Sequence, residues 1–348
     1  QNASLVVCDR GYLRHQRAWR RTVAEGSPVQ VVRVESDLVV PVEVASDKRE
    51  YAARTIRPKL MDLYERYLER PEERTPSTSS RRYSVDRIAL DSVQDVLDQL
   101  DLDDSVGPVD ALKGGTHEGL AHFQRFLDGH LTSYDDDRND PHLDHTSFQS
   151  PYLHFGHVSP CHLLTLLRRR RSMPNVESYL EELLVRRELA HNFVFHEPDY
   201  DRWSCLPDWA RETLEEHADD PRPKVYTRAQ LEAAETDDPY WNAAMTQMKQ
   251  RGWLHNHMRM YWGKRLLTYT NTPKYAYETA LYLNNKYFLD GRDPNSFANV
   301  GWLCGLHDRA WGEREIFGKV RTMTAGGLER KTDPEAFVAK VERAEHDD

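Results

Sequence analysis

The chain has 348 residues, with 47 Lys and Arg against 57 Asp and Glu, a formal net charge of −10. At ~150 residues per domain the length argues for about two domains with sizeable cores, and the acidic balance excludes nucleic-acid binding through overall charge while leaving room for a local basic face. Hydrophobic residues are 39% and charged residues 30%, a soluble globular mix, and no apolar run approaches the ~18 residues of a membrane span. The four cysteines, Cys8, Cys161, Cys205 and Cys304, lie far apart with no CxxC pair. Disulfides and a zinc site are therefore not expected, and a reducing cytoplasm is.

Residues 5–7 read as a buried strand, reached abruptly and without a signal-peptide pattern, so an upstream segment is expected to be missing. Residues 12–23 are rich in Arg and helix formers, residues 29–34 (VQVVRV) are β-branched and apolar, and residues 38–42 form another short apolar strand pattern. A helix is expected over residues 47–65, broken at Pro58. Strand, helix, strand with short links is the pattern of a parallel α/β unit, here with few strands. Residues 70–115 read as a linker, with a polar breaker cluster at 75–80, an acidic run at 97–104 and Gly114-Gly115 at the end. From Thr116, which suits an N-cap, the pattern is helical. Leu120, Phe123, Phe126 and Leu127 share a face, and Ser159-Pro160 suits a cap with proline in the first turn. Leu180, Leu183, Leu184, Leu189 and Phe193 form a core stripe, and residues 243–250, 253–268 and 275–287 continue the helices. The expected organisation is a partial α/β domain over 1–69, a linker over 70–115 and a large all-helical domain over 116–348.

Charge is uneven within the helical part. Residues 199–238 hold 12 acids and 5 bases. Residues 239–277 hold no acid and six bases (Lys249, Arg251, Arg259, Lys264, Arg265, Lys274), together with Trp241, Trp253 and Trp262. Residues 309–331 add six bases against three acids, beside Trp302 and Trp311. Bases interleaved with aromatics suit phosphate contact and base stacking, and on charge alone a solvated basic face fits as well. GxGxxG, GxxxxGK[ST] and GxSxG are all absent, and no Cys or carboxylate stands near His255 and His257 to complete a metal site. Three blocks stand out. Thr146-Ser147-Phe148-Gln149-Ser150 opens a helical segment, where hydroxyls and free N–H groups can hold a phosphate or simply cap the helix. Residues 253–262 (WLHNHMRMYW) pack polar and aromatic groups together. Residues 283–295 lead to Trp302 and to 307–314 (HDRAWGER), and within them Asp290 is placed to neutralise Arg259.

Taken in order, these blocks resemble the class II cyclobutane pyrimidine dimer photolyases of the photolyase/cryptochrome superfamily. The likeness runs from near Leu5 to about Lys331 and is strongest over 134–156, 180–193 and 238–331, while 39–42 (VVPV) and 51–59 (YAARTIRPK) match the family's α/β domain and the start of its linker. The resemblance implies a Rossmann-like α/β remnant joined to an all-α domain that holds FAD in a U shape. Tyr134, Thr146, Ser147, Phe148, Gln149 and Ser150 match residues around the FAD phosphates and ribityl chain. Asn284 matches the residue at the flavin N5 edge, Arg259 and Asp290 the ion pair flanking the isoalloxazine, and Asn256 and Arg292 further cofactor contacts.

The implied activity is light-driven repair: an electron passes from excited reduced FAD (FADH⁻) to a dimer flipped out of UV-damaged DNA, the cyclobutane ring opens and the electron returns. The implied protein is a monomer of the cytoplasm, at the nucleoid in a prokaryote, with no membrane partner and no metal. Glu182 matches the acid that hydrogen-bonds the dimer, Met260 and Trp302 the residues that pack on it, and Arg138 and Asn139 those that fill the gap left by the flipped bases. Arg186, Arg309, Trp311 and Arg321 match the DNA side. From the residues alone, Glu182 also suits an i,i+4 surface pair with Arg186. Trp262 and Trp241 match a relay that reduces oxidised FAD, and Tyr269 stands where the next aromatic is Trp in some relatives. About 100 residues of the family's α/β domain have no counterpart here, so little of an antenna-chromophore pocket is expected. The alternatives are a cryptochrome-like FAD light sensor without repair and a helical DNA-binding module without flavin. Glu182, Met260, Trp302 and Arg138 favour repair over the first, and the Ser147/Ser150, Asn284 and Arg259/Asp290 set favours flavin over the second.

Overall fold

The structure, a computed structural model, describes residues 3–68, 74, 75, 77, 79 and 92–347. Part of the expected linker therefore lies outside the described residues. Strand β1 (Val6–Asp9) pairs in parallel with β2 (Val31–Val34) across helix α1 (Arg14–Gly26), with Val6 opposite Val31 and Asp9 opposite Val34. This is the strand–helix–strand unit expected from the sequence, and among the described residues the sheet has two strands.

The third expected strand, at 38–42, is not one. The Val39 and Val40 N–H groups donate to the buried Glu188 carboxyl at 2.7 and 3.3 Å, Val42 N–H donates to Glu35 Oε1 at 2.8 Å, and the chain turns into the short helix α2 (Val42–Ala45). Side chains, one of them 149 residues away, take the donors that a neighbouring strand would have taken, so tertiary context overrides β propensity. The helix expected over 47–65 begins later, as α3 (Ala53–Leu63), and runs unbroken through Pro58. Pro58 costs one intrahelical bond, but Ile56 and Leu60 on either side are fully buried and hold the helix to the core.

Among the described residues the elements that follow are helices: α4 (Val93–Leu97), α5 (Thr116–Gly129), α6 (Tyr134–Asp137), α7 (Gln149–His154), α8 (Pro160–Arg168) and α9 (Val176–Leu180), then a widened π turn (Glu181–Arg186) running into α10 (Arg187–His196). After these come α11 (Asp208–Glu216), α12 (Arg228–Glu232), α13 (Pro239–Arg251), α14 (Asn256–Tyr269), α15 (Pro273–Tyr287), α16 (Pro294–Leu303), α17 (Ala325–Glu329) and α18 (Pro334–Asp347). Thr116 is not the expected cap: it is the first residue of α5, and Gly115, at φ 111°, precedes it. Helices α13, α15 and α16 each start with a capping side chain followed by proline, from Asp238, Thr272 and Asp293.

Two apolar clusters form the interior. One joins Val39, Val40, Ile56 and Leu60 to Phe123, Phe126, Leu163 and Leu184. The other joins Tyr12, Leu13 and Leu38 to Phe193, Trp241, Trp262, Leu283 and Phe337. Residues from the first part of the chain thus complete both cores of the helical part. Helix α10 packs along α16, α13 along α18, and α14 against α13, α15 and α16, which places α14 at the centre of the functional region.

Candidate functional site

Helix α14 and the turn after α15 carry the central pair. Arg259 on α14 donates from both terminal nitrogens to both Asp290 oxygens, at 2.9 and 3.0 Å, and from Nε to Leu254 O at 2.8 Å. Its guanidinium lies 3.9 Å from the centre of the Phe288 ring. Asp290 reaches this position because the chain turns sharply after α15. A Cβ on Gly291 would meet the Asn284 and Phe288 carbonyl oxygens at 2.8 Å, so only glycine fits the turn. Asn284 is buried on the last turn of α15, and its amide donates to Asn285 Oδ1 at 3.2 Å. Arg292, expected as a cofactor contact, is exposed, bonds the Asn285 carbonyl, and lines a cleft of about 560 Å³ between α1 and α15–α16.

The hydroxyl-rich block forms the head of α7. Phe148 takes a left-handed conformation (φ 53°) and sets its ring 4.5 Å from Trp253, the residue that leads into α14. Gln149 is buried and donates to Gly119 O and Ser147 O at 3.0 and 2.9 Å, whereas Ser150 and Asn256 are exposed. Tyr134 is buried under the Arg138 guanidinium, and that burial pushes its phenol up to about 12. Thr146 Oγ1, Gln149 Oε1, His255 Nε2 and Trp262 Nε1 are buried without a hydrogen-bond partner. Buried polar atoms are rarely left so. These four sit at the start of α7 and along α14, the segments assigned to the cofactor from sequence. A ligand rich in both donors and acceptors, as FAD is, can satisfy them, so the residues present fit that group. Burial also lowers His255 to about 3, leaving a neutral ring that accepts the His257 N–H at 3.2 Å.

Behind this pair the aromatics run in file. The Phe288 and Trp262 ring centres are 6.5 Å apart, Trp262 and Trp241 stack at 6.3 Å and 16°, and Tyr269 meets Trp241 edge-on at 6.0 Å. Trp241 Nε1 donates to Trp262 O at 2.9 Å, which fixes the stack. The Tyr269 hydroxyl donates to Asp238 Oδ2 at 2.7 Å and accepts from Arg265 at 2.8 and 3.1 Å. Asp238 escaped sequence reasoning. The Asp-Pro pair marks a helix cap, but nothing in the sequence says that its other oxygen meets two phenols, Tyr261 and Tyr269.

The residues matched to the lesion and DNA lie elsewhere on the helical part. Glu182 does not pair with Arg186. In the π turn, residues five apart rather than four come together, so Arg186 bonds Glu181 at 2.9 Å while Glu182 takes Arg138 at 2.7 Å. Trp302 is half-buried between two cations, Lys264 Nζ at 4.9 Å and Arg321 at 5.4 Å from its ring. Arg321 and Arg309 then flank Trp311 at 4.3 and 4.6 Å, and Asp308 holds Arg321 at 3.2 Å and the Trp311 N–H at 3.3 Å. Lys264 is buried, donates to Leu303 O at 2.6 Å, and is lowered by desolvation to about 8. Met260 is half-buried and Asn139 exposed.

The acid-free stretch 239–277 is not the basic face its composition suggested. Arg259, Arg265 and Arg251 turn to acids from outside it (Asp290, Asp238 and, at 3.9 Å, Asp144), and Lys264 is interior. Only Lys249 and Lys274 are exposed, on separate helices. A central helix spends its bases on internal acceptors, whereas the arginines matched to the DNA side, Arg186, Arg309 and Arg321, are exposed.

The architecture is similar to that of a Synechocystis cryptochrome (TM-score 0.71, 16% identity, 97% of this chain and 68% of that one) and of a class III photolyase from Agrobacterium tumefaciens (TM-score 0.63, 19% identity, 98% and 68%). The fold is therefore that of the photolyases and cryptochromes. Residues 179–338 match the family described as the FAD binding domain of DNA photolyase. The chain is 44% identical over 340 residues to the deoxyribodipyrimidine photo-lyase of Methanothermobacter thermautotrophicus, covering 98% of this chain and 75% of that protein. Identity to the namesake of Potorous tridactylus is 41% over 348 residues (98% and 64%), and to that of Oryza sativa 42% over 357 residues (98% and 70%). The chain belongs to the DNA photolyase family. Among the described residues no helix is long and apolar enough to cross a membrane, and no three metal-ligating side chains converge.

Proposed function

We propose that the chain is a class II deoxyribodipyrimidine photo-lyase that repairs cyclobutane pyrimidine dimers in UV-damaged DNA, as a monomer, with FAD in its fully reduced state. When bound, FAD supplies the light-driven electron that opens the cyclobutane ring. The observation that carries this reading is the bidentate Arg259–Asp290 pair set beside a file of buried aromatics and unpartnered buried polar atoms.

The chain's own residues divide the labour. Arg259 brings a fixed positive charge to a buried site, as an anionic ring requires, and Asp290 holds it in place. Asn284 presents an amide to the ring edge. Thr146, Ser147, Gln149 and Ser150 with Tyr134 hold the phosphates and the ribityl chain. Trp262 and Trp241 carry electrons inward from the protein. Glu182, steadied by Arg138, hydrogen-bonds the dimer, which packs between Met260 and Trp302. Arg186, Arg309, Trp311 and Arg321 hold the duplex, with Asn139 and Arg138 at the gap left by the flipped bases. The test is illumination of the reduced, FAD-loaded protein with a dimer-containing oligonucleotide. Dimers are expected to revert to pyrimidines in light and not in darkness. Unchanged dimers with flavin bound would point instead to a cryptochrome-like light sensor, and a protein that takes up no flavin would refute both.

A further inference from the structure

Lys264 is a cation buried on α14 at 1% exposure, and its ammonium donates to Leu303 O at 2.6 Å. The acid that acts on it, Asp308, is itself paired with Arg321 at 3.2 Å. Leu303 is the last residue of α16, so its carbonyl is one that the helix leaves without an intrahelical donor. Gly263 lets the two helices touch here, because a Cβ on it would run into the Leu303 side chain. A lysine buried in this way costs free energy that an apolar side chain of similar length would not. Its ammonium is also the foot of a ladder. Nζ lies 4.9 Å from the centre of the Trp302 ring, Arg321 lies 5.4 Å from that ring and 4.3 Å from Trp311, and Arg309 lies 4.6 Å from Trp311. Cation and ring alternate over five side chains, from the interior to the surface. Arg309, Trp311 and Arg321 are exposed and Trp302 is half-buried, so Lys264 is the rung that DNA does not reach.

Resting on the reading of Trp302 as a residue that packs on the dimer, we propose that Lys264 is a positioning residue for lesion recognition: its ammonium, pinned by the end of α16, fixes the Trp302 indole against which the lesion is placed. A cation near the face of an indole is attracted to the negative ring and restricts its rotation, and the attraction grows as water is excluded. The charge on Lys264, rather than its bulk, is what holds the ring. A neutral amine at the same place keeps its shape and its bond to Leu303 O and loses only the attraction to Trp302.

Titration separates charge from bulk. Burial lowers the Lys264 ammonium to about 8, against Cys304 and Asp308 and with Arg321 adding to the effect. These are the charged and titratable groups that act on it, Cys304 from the end of α16 and the other two from the chain beyond. Burial pushes the Cys304 thiol up to about 12, so it stays neutral, and Asp308 and Arg321 offset each other as a pair. The arginines of the ladder hold their charge throughout. Between pH 7 and pH 9 Lys264 therefore goes from charged to neutral while the arginine rungs stay charged.

The experiment compares binding of a dimer-containing duplex and of the undamaged duplex to the FAD-loaded protein, in darkness, by fluorescence anisotropy at pH 7 and pH 9. A second measurement follows the protein labelled with 5-fluorotryptophan by fluorine NMR, with Trp302→Phe identifying the Trp302 line. In the wild type the preference for the damaged duplex is expected to fall about fivefold from pH 7 to pH 9, the size of one cation–π contact. The Trp302 line is expected to move with a midpoint at about pH 8. Lys264→Met is expected to be at least as stable in urea, to bind undamaged duplex as the wild type does, and to show at both pH values the weakened preference of the wild type at pH 9. A wild-type Trp302 line and lesion preference that both stay constant from pH 7 to pH 9 overturn the proposal without any variant. Lys264→Met that loses stability and binds both duplexes more weakly in parallel marks a packing residue and overturns it too. Trp302→Ala that weakens lesion binding while Lys264→Met does not leaves the Trp302 reading standing and removes Lys264 from it. Unchanged lesion binding in Trp302→Ala overturns that reading and the proposal with it.

Discussion

Two regions of this molecule are built from the same residue types and use them in opposite ways. Along α13 and α14, Trp241 and Trp262 stand beside Arg259, Lys264 and Arg265. Past α16, Trp302 and Trp311 stand beside Arg309 and Arg321. Inside, the two arginines are held by carboxylates brought from elsewhere in the chain and Lys264 by the Leu303 carbonyl, while the rings stack on each other. Outside, cations and rings alternate, and one acid, Asp308, serves both Arg321 and Trp311. Burial makes the difference. A desolvated cation must be neutralised where it stands, whereas a solvated one is left to meet an incoming phosphate.

The sharpest way to break this comparison is to truncate one tryptophan from each region. Trp241→Ala, in the fully buried file, is expected to cost about 4 kcal/mol of stability in urea unfolding. Trp311→Ala, at 37% exposure, is expected to cost about 0.5 kcal/mol or less. Equal losses would mean that the outer aromatic is as structural as the inner one. Next in size, Asp290→Ala strands the Arg259 guanidinium and is expected to cost about 2–3 kcal/mol together with retention of FAD, measured by unfolding and by flavin released on gel filtration. Asp308→Ala, whose cations stay solvated, is expected to change stability by less.

On the DNA side, Arg321→Ala and Arg309→Ala are each expected to weaken binding to damaged duplex and to reduce the dependence of log K on log salt by about one, read by fluorescence anisotropy. Lys249→Ala and Lys274→Ala are expected to leave that slope unchanged, in spite of the acid-free stretch in which they lie. Stability is also expected to depend on pH. Glu188 is buried against the Val39 and Val40 N–H groups, and desolvation outweighs those bonds and raises it from 4.5 to about 8. A carboxyl raised on folding stabilises fully below its unfolded pKa, and that contribution is lost as pH climbs through the folded value. The wild-type melting temperature should therefore fall from about pH 5 to pH 8 through this group, and Glu188→Gln should flatten that slope. An unchanged slope would mean that Glu188 does not titrate in this window.

Much of this was legible in the sequence, for physical reasons that can be named. Capped, proline-led helices such as α13, α15 and α16 are written locally, because a cap needs only its own next turn. The Arg259–Asp290 pair could be anticipated because the blocks that carry it match the family's ion pair. Asp238 was not legible, since its two oxygens serve a local cap and a remote pair of phenols at once. The strand misassigned at 38–42 failed for the same reason: Glu188, far along the chain, takes its donors.

What the sequence determined by itself, then, is the order of elements, the family to which its blocks belong, and the residue types gathered at the site. What only the tertiary structure decided is which partner each charge received. The π turn moved Arg186 from Glu182 to Glu181 and gave Glu182 to Arg138, and the central place of α14 turned a run of bases inward. Local pattern fixes which face of a helix is apolar, but the pairing of charges depends on distances between segments far apart in the chain, and those exist only once it has folded.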